Sequence, residues 1–389
     1  MSPRKPVVAL RGREVPLVLF SAQLGGYGCL IVDVNSLINR YQKAEAVGRS
    51  LVPNRAIQAF GLEAFSAVGY PFEIEDESEL WRYHDVMQDG RLELNLRLLE
   101  SVHEFDHWEL AERAASAIQQ FGIRRFGFAS AGKDMLTRAL YQYALLCAVL
   151  DGKPRPWSIL EVGPGCGYLG LLIGLEGHRY IALEASQAFY IYQSTLYRDV
   201  FAEEYCDGLA NEADARISHL TWWNFCREGS QLPKLTGATA NHMLAEMHSG
   251  ALRFLVRSLH SSQDVGFSLV ADTLGSQAVN AHSDVLRQIT ACGFSATQIK
   301  PDQAWIFTSA LGEGKISYWP VSLPKKVRAK LSSRPLGRKL IAFLDRAMAP
   351  KSDNRKGELR GSSSRKVREV VLGFPDFDSA DLRFQKGTW

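Results

Sequence analysis

Between Trp157 and Glu176 the chain passes from a short apolar run, WSILEV, through three glycines spaced two apart, into a second apolar run that opens on Tyr168. That order predicts a buried strand, a tight turn and a helix from Tyr168 to Glu176, stopped at Gly177. Glycines at 163, 165 and 167 allow positive φ and let a ligand approach the backbone, while the start of the helix offers unpaired N–H groups. The turn therefore predicts a polar ligand. Residues Gly165 to Gly170 also fit the G-x-G-x-x-G spacing of dinucleotide sites. Two neighbours argue against a diphosphate: Glu161 places a carboxylate where it would repel one, and Pro164 removes a backbone N–H that would help to cradle it. Seventeen residues after Gly167, Glu184 ends the next strand, where a carboxylate can accept both hydroxyls of a ribose.

Strand-like and helix-like segments alternate from there on. RYIALE reads as a second strand, Ser186 as the N-cap of a helix running to about Glu204, RISHLTWW as a third strand and GATAN as a fourth. His242 to His260 has helical periodicity, GFSLVAD is a fifth strand, and a helix over 282–291 precedes a closing antiparallel pair, FSATQIK and AWIFTSA. This pattern predicts a mostly parallel sheet with helices on both faces. Upstream, a helix from Lys133 to Leu150 ends before Lys153-Pro154-Arg155-Pro156. Residues 1–130 read as a mixed α/β or helical cap, with strands in VVALRG and PLVLFSAQ and helices around Leu92–Leu99 and Trp108–Ala114. The expected organisation is thus a cap over 1–130, a ligand-binding α/β domain over 131–322, a basic tail over 323–369 and a docked segment over 370–389.

Composition narrows the classes. No run of 18 apolar residues is long enough to span a bilayer, and Arg11, Arg13 and Glu14 interrupt the N-terminal apolar stretch that an export signal needs. Cys29, Cys147, Cys166, Cys206, Cys226 and Cys292 are scattered singly, as in a reducing compartment, so a cytoplasmic location is expected. The formal charge of +3 hides an asymmetry: residues 325–368 hold fifteen Lys or Arg against three acids, so the remainder is net acidic. Two readings of that tail stay open, a solvated charge run and a peripheral contact with anionic lipid at the inner face of the membrane or with an acidic glycan. Nucleic acid is not an expected partner, because the tail has few aromatics for base stacking.

The (Asp/Glu)-x-Gly-x-Gly-x-Gly pattern at Glu161, Gly163, Gly165 and Gly167 resembles the first motif of class I S-adenosylmethionine-dependent methyltransferases. Leu220-Thr221-Trp222-Trp223, Ala240 to Met247 and Leu274-Gly275-Ser276-Gln277 resemble segments of the sugar O-methyltransferase family, over about residues 130–310. The resemblance implies a Rossmann-like class I methyltransferase fold with a seven-stranded sheet, S-adenosyl-L-methionine as cofactor, and methyl transfer to a hydroxyl of a saccharide or glycan, as in polysaccharide biosynthesis. Its cofactor contacts would be Glu161, Gly163, Gly165, Gly167, Tyr168, Glu184 and Ala185, with Trp222, Trp223 and Asn224 near the adenine and Asn241 near the methionine end. A sugar hydroxyl is a weak acid, so a base is useful. His242 and Glu246, four apart and expected on one helix face, are the candidates, with Asn241 orienting the substrate and His248 and Asp272 as weaker alternatives. No ligand spacing compels a metal.

Three rival readings remain. His103-Glu104-Phe105-Asp106-His107 matches the H-E-x-x-H zinc motif, although the extended pattern fails at Leu110, where glycine would stand. An NAD(P)-dependent oxidoreductase would use the same glycine turn, and a non-catalytic binding module would keep the fold without the chemistry.

Overall fold

The computed structural model describes residues 33–61, 73–84, 91–102, 107–129, 132–209, 215–275, 280–299 and 304–318. The expected strands near residues 7–12 and 16–23, the basic tail and the C-terminal segment lie outside them.

The predicted α/β alternation folds into one sheet. Its strands are β1 (Ser158–Val162), β2 (Arg179–Glu184), β3 (Tyr205–Cys206), β4 (Ile217–Thr221), β5 (Gly237–Thr239), β6 (Ser268–Ala271), β7 (Phe294–Ile299), β8 (Ala304–Ser309) and β9 (Ile316–Tyr318). The order is β3-β4-β2-β1-β5-β6-β8-β7-β9. Strands β1 to β6 pair in parallel, whereas β8 runs antiparallel between β6 and β7. This is the expected Rossmann-like class I methyltransferase arrangement of seven strands, extended by a two-residue strand, β3, at one edge and by β9, parallel to β7, at the other. Successive connections leave β1 in opposite directions, so the carboxyl ends of β1 and β5 flank the switch point at which open α/β sheets bind ligands.

Between the strands lie α6 (Tyr168–Leu175), α7 (Gln187–Phe201), α8 (Trp222–Glu228), α9 (Ser249–Ser262) and α10 (His282–Ala291). Ser186 caps α7 as expected, accepting the N–H of Phe189 at 3.4 Å. Helix α6 has no polar face and is buried from Tyr168 to Gly174, between the sheet and the helices that precede it. Those are α1 (Val34–Ser50), α2 (Asn54–Phe60), α3 (Leu92–Ser101), α4 (Trp108–Phe126) and α5 (Lys133–Val149). Among the described residues the N-terminal part is helical, and its apolar side chains, Tyr41, Ile118 and Phe121 among them, join the same core as the sheet. No described helix is long and apolar enough to cross a membrane.

Helix α1 lies close enough to α8 that a Cβ added at Gly48 would stand 2.3 Å from Cγ of Trp223. On an exposed helix, Gly48→Ala would stabilise by up to about 1 kcal/mol. Here overpacking of the indole outweighs propensity, and a loss of about 1–3 kcal/mol is expected in chemical denaturation. A gain in stability would show that α1 does not press on Trp223.

Candidate active site at the carboxyl edge

Gly163, Gly165 and Gly167 all have left-handed backbones, with φ of 65°, 59° and 76°. Gly167 is the N-cap of α6, so the first N–H groups of that helix open onto the turn. A Cβ at Gly163 would lie 2.6 Å from Sδ of Met243, which brings the segment after β5 against the turn. On the other side stands α7. Gln193 Nε2 donates to the Gly165 carbonyl at 2.6 Å and reaches Glu184 Oε2 at 3.2 Å, while Tyr197 donates to the Gly167 carbonyl at 2.8 Å. His219, which burial pushes down to a pKa of about 3 and so keeps neutral, meets Gln193 Oε1 at 2.8 Å. Sequence reasoning missed Gln193 and Tyr197. The available signal was their i, i+4 spacing on a helix with few charges.

Three buried carboxylates stand at the carboxyl ends of β1, β2 and β6. Glu161, 2% exposed on β1, accepts the Tyr180 hydroxyl at 2.7 Å. Burial pushes its pKa up to about 8, and the charges of Glu184 and Asp272 add to the rise. Glu184, also buried, ends β2 and accepts the N–H groups of Ala185 and Ser186, both at 2.8 Å on Oε1. Burial raises it to about 7, against the opposing pull of those N–H groups, Gln193 and the Gly165 N–H. Ala185 contributes its backbone here, holding the Glu184 carboxylate in place. Asp272, fully buried just past β6, is the exception: burial pushes it up, but Arg138, His242 and Gln142 outweigh that and hold it below the ordinary carboxylate value. Its Oδ2 meets Arg138 Nε at 2.6 Å, Gln142 Nε2 at 2.9 Å and His242 Nε2 at 3.5 Å. Its Oδ1 is buried without a partner among the described residues.

The segment expected to continue β5 into a helix does not do so. Residues 241–248 form a turn-rich loop, and α9 begins only at Ser249, with the His248 side chain accepting the Gly250 N–H at 3.0 Å. His242 and Glu246 therefore share no helix face. His242 has a left-handed backbone, φ 59°, a conformation costing a non-glycine residue on the order of 1 kcal/mol. Its ring turns to Asp272, whereas Glu246 lies against Gly275, whose added Cβ would be 3.0 Å from Glu246 Cγ. Asn241 is buried: Nδ2 donates to Thr239 Oγ1 at 2.8 Å and Oδ1 accepts the Asp272 N–H at 3.0 Å. It joins the ends of β5 and β6 and sets the backbone that carries Asp272.

The aromatic candidates take other roles. Trp222 is fully buried and donates Nε1–H to Glu45 of α1 at 3.0 Å, and Trp223 packs edge-on against Tyr41. Both indoles anchor α1, and neither presents an open face for a base. Asn224 is buried beside them at the start of α8. The Tyr168 ring is also core, its hydroxyl donating to the His84 carbonyl at 2.8 Å, so only its backbone at the start of α6 faces the turn. Of the zinc motif, 103–106 lie outside the described residues. His107 precedes α4 as its N-cap, outside the helix that the motif requires. Ser276 and Gln277 are likewise outside the described residues.

No protein-family model matches the chain. No curated protein matches it either. Solved structures similar to it include a magnesium protoporphyrin IX methyltransferase from Synechocystis PCC 6803 with bound SAM, 14% identical, with a TM-score of 0.34, over 46% of this chain and 83% of that one. A glycopeptide N-methyltransferase complexed with sinefungin is 12% identical, with a TM-score of 0.32, over 44% of this chain and 93% of that one. The [4+2]-cyclase SpnF is 16% identical, with a TM-score of 0.30, over 48% and 71%.

Proposed function

We propose that this chain is an S-adenosylmethionine-dependent methyltransferase acting on a hydroxyl of a saccharide or glycan. The observation that carries the cofactor reading is the trio of buried carboxylates, Glu161, Glu184 and Asp272, at the sheet edge that carries a left-handed glycine turn, with Asp272 Oδ1 unpaired among the described residues. Glu161 and Glu184, poised to ionise near neutral pH, favour a ligand that brings positive charge, which weighs against a nicotinamide dinucleotide. Glu184 would accept the ribose hydroxyls. The N–H groups at the start of α6 suit the methionyl carboxylate, and Glu161 and Asp272 suit the cationic end. S-adenosylmethionine supplies a methyl group already activated on a sulfonium.

The protein's remaining task is to hold the acceptor oxygen in line and remove its proton. His242 takes that proton, and the Asp272 carboxylate 3.5 Å from Nε2 stabilises the imidazolium that forms. Arg138 and Gln142 fix the carboxylate in turn. A saccharide acceptor rests on the resemblance of the segments at Leu220, Ala240 and Leu274 to sugar O-methyltransferases.

Calorimetry with S-adenosylhomocysteine, followed by transfer of labelled methyl to a panel of sugars and nucleotide sugars, tests the proposal. Glu184→Ala is expected to abolish measurable binding, and His242→Gln to leave affinity within about twofold while lowering transfer about 10²–10⁴-fold. Binding of NAD in place of S-adenosylhomocysteine would overturn the cofactor. Undiminished transfer by His242→Gln would overturn the base.

A further inference from the structure

Helices α9 and α10 form the walls of a second, polar cleft of about 430 Å³, lined by Ser249, Arg253, Arg257, Asn280, Arg287 and Gln288, among others. Arg253 and Arg257 stand one turn apart on α9, both exposed, and face Arg287 of α10. Asp284, also in the lining, is paired with Arg287. Three guanidinium groups against one carboxylate leave the cleft with two net positive charges.

The cleft opens beside the loop that carries His242. Ser249, at one end, directly follows the 241–248 segment, and its hydroxyl donates to Asn280 Oδ1 at 2.8 Å. Asn280 is tied back to the same loop, through its N–H to the Ala245 carbonyl at 2.9 Å and its Nδ2 to the Met247 carbonyl at 2.7 Å. A molecule seated in the cleft is thus adjacent to the loop proposed to hold the acceptor hydroxyl. Gln288 adds a half-buried amide side chain to the same wall.

We propose that this cleft holds the anionic end of the acceptor, and that the acceptor is a phosphorylated saccharide. The inference rests on the methyltransferase reading above for its term "acceptor", but the cleft's affinity for phosphate does not depend on it. Guanidinium groups bind phosphate oxygens through paired, charge-assisted hydrogen bonds, and a phosphate dianion balances the cleft's charge where a single carboxylate would not. A neutral sugar would leave the arginines without a counter-charge.

Glucose 1-phosphate is the probe, titrated calorimetrically at low salt into the full chain and into Arg253→Gln/Arg257→Gln, with galacturonate as the carboxylate control. Both arginines are exposed, so the double variant is expected to fold. Wild type should bind glucose 1-phosphate more tightly than galacturonate, and the double variant should lose about tenfold or more of that affinity. Its affinity for S-adenosylhomocysteine should not change. A smaller loss, or equal binding of the two sugars, would overturn the cleft as a phosphate site. If S-adenosylhomocysteine fails to bind wild type while the glucose 1-phosphate difference persists, the methyltransferase reading falls and the phosphate site stands.

Discussion

Glu161→Gln is expected to make the ligand-free protein more stable at pH 8, by about 2–4 kcal/mol, and to weaken its binding of S-adenosylmethionine about tenfold or more. In the unfolded chain this carboxyl titrates near its ordinary 4.5, and in the folded protein near 8. Across that window the folded state holds a proton that the unfolded state has released, so stability falls as pH rises from about 4.5 to about 8. At about 1.4 kcal/mol per tenfold change in proton affinity, the full cost above pH 8 approaches about 5 kcal/mol. Glutamine carries no charge, still accepts the Tyr180 hydroxyl, and forfeits part of the gain because its amide N–H groups need partners. The stabilisation should be large at pH 8 and nearly absent at pH 5, where folded wild type keeps its proton and the unfolded chain has released only part of its own. Denaturation at both pH values measures it. An equal effect at the two would mean that Glu161 is not the group titrating. The same raised values at Glu161 and Glu184 imply that wild type releases protons on binding a cationic ligand at neutral pH. A fold that keeps so costly an ionisable group in its core suits a site where a cationic ligand repays its ionisation.

Local pattern made the first half of the sheet legible. WSILEV, the glycine turn and RYIALE became β1, the turn before α6 and β2 with their predicted bounds moved by a residue or two, because period, caps and breakers there all act within a few residues. The 241–248 segment was misread as helix for an equally local reason. Leu244, Ala245 and Met247 are buried at spacings that suit a helix, but they also suit a loop that plugs the core, and here the loop is held by single turns and by Asn280. The roles of Trp222 and Asp272 were not legible at all. Trp222 meets Glu45 across 177 residues of chain, and Asp272 meets Arg138 across 134, and no periodicity encodes which way a buried indole or carboxylate turns once such a partner arrives.

The Asp272 cluster carries the largest expected loss. Arg138→Met removes the guanidinium that holds Asp272 through Nε and Nη2, 2.6 and 2.5 Å away, and leaves a fully buried carboxylate facing only Gln142 and His242 among the described residues. Breaking one side of a buried pair in this way costs about 3–5 kcal/mol. The loss should shrink as pH falls. In wild type the depressed carboxyl contributes stability above its unfolded value that disappears as pH drops through the folded one, whereas without Arg138 burial raises the group and protonation relieves it. Adding Asp272→Asn to Arg138→Met removes the stranded charge, so the double variant should be more stable than Arg138→Met alone at pH 7, by about 1–3 kcal/mol. Under the proposed role of His242, methyl transfer should not return, because the ring has lost the carboxylate that would stabilise its protonated form. Denaturant unfolding of the two single variants and the double variant completes the cycle. If the two losses simply add, the arginine and the aspartate do not depend on one another, and the positioning of His242 through Arg138 and Asp272 falls with that result.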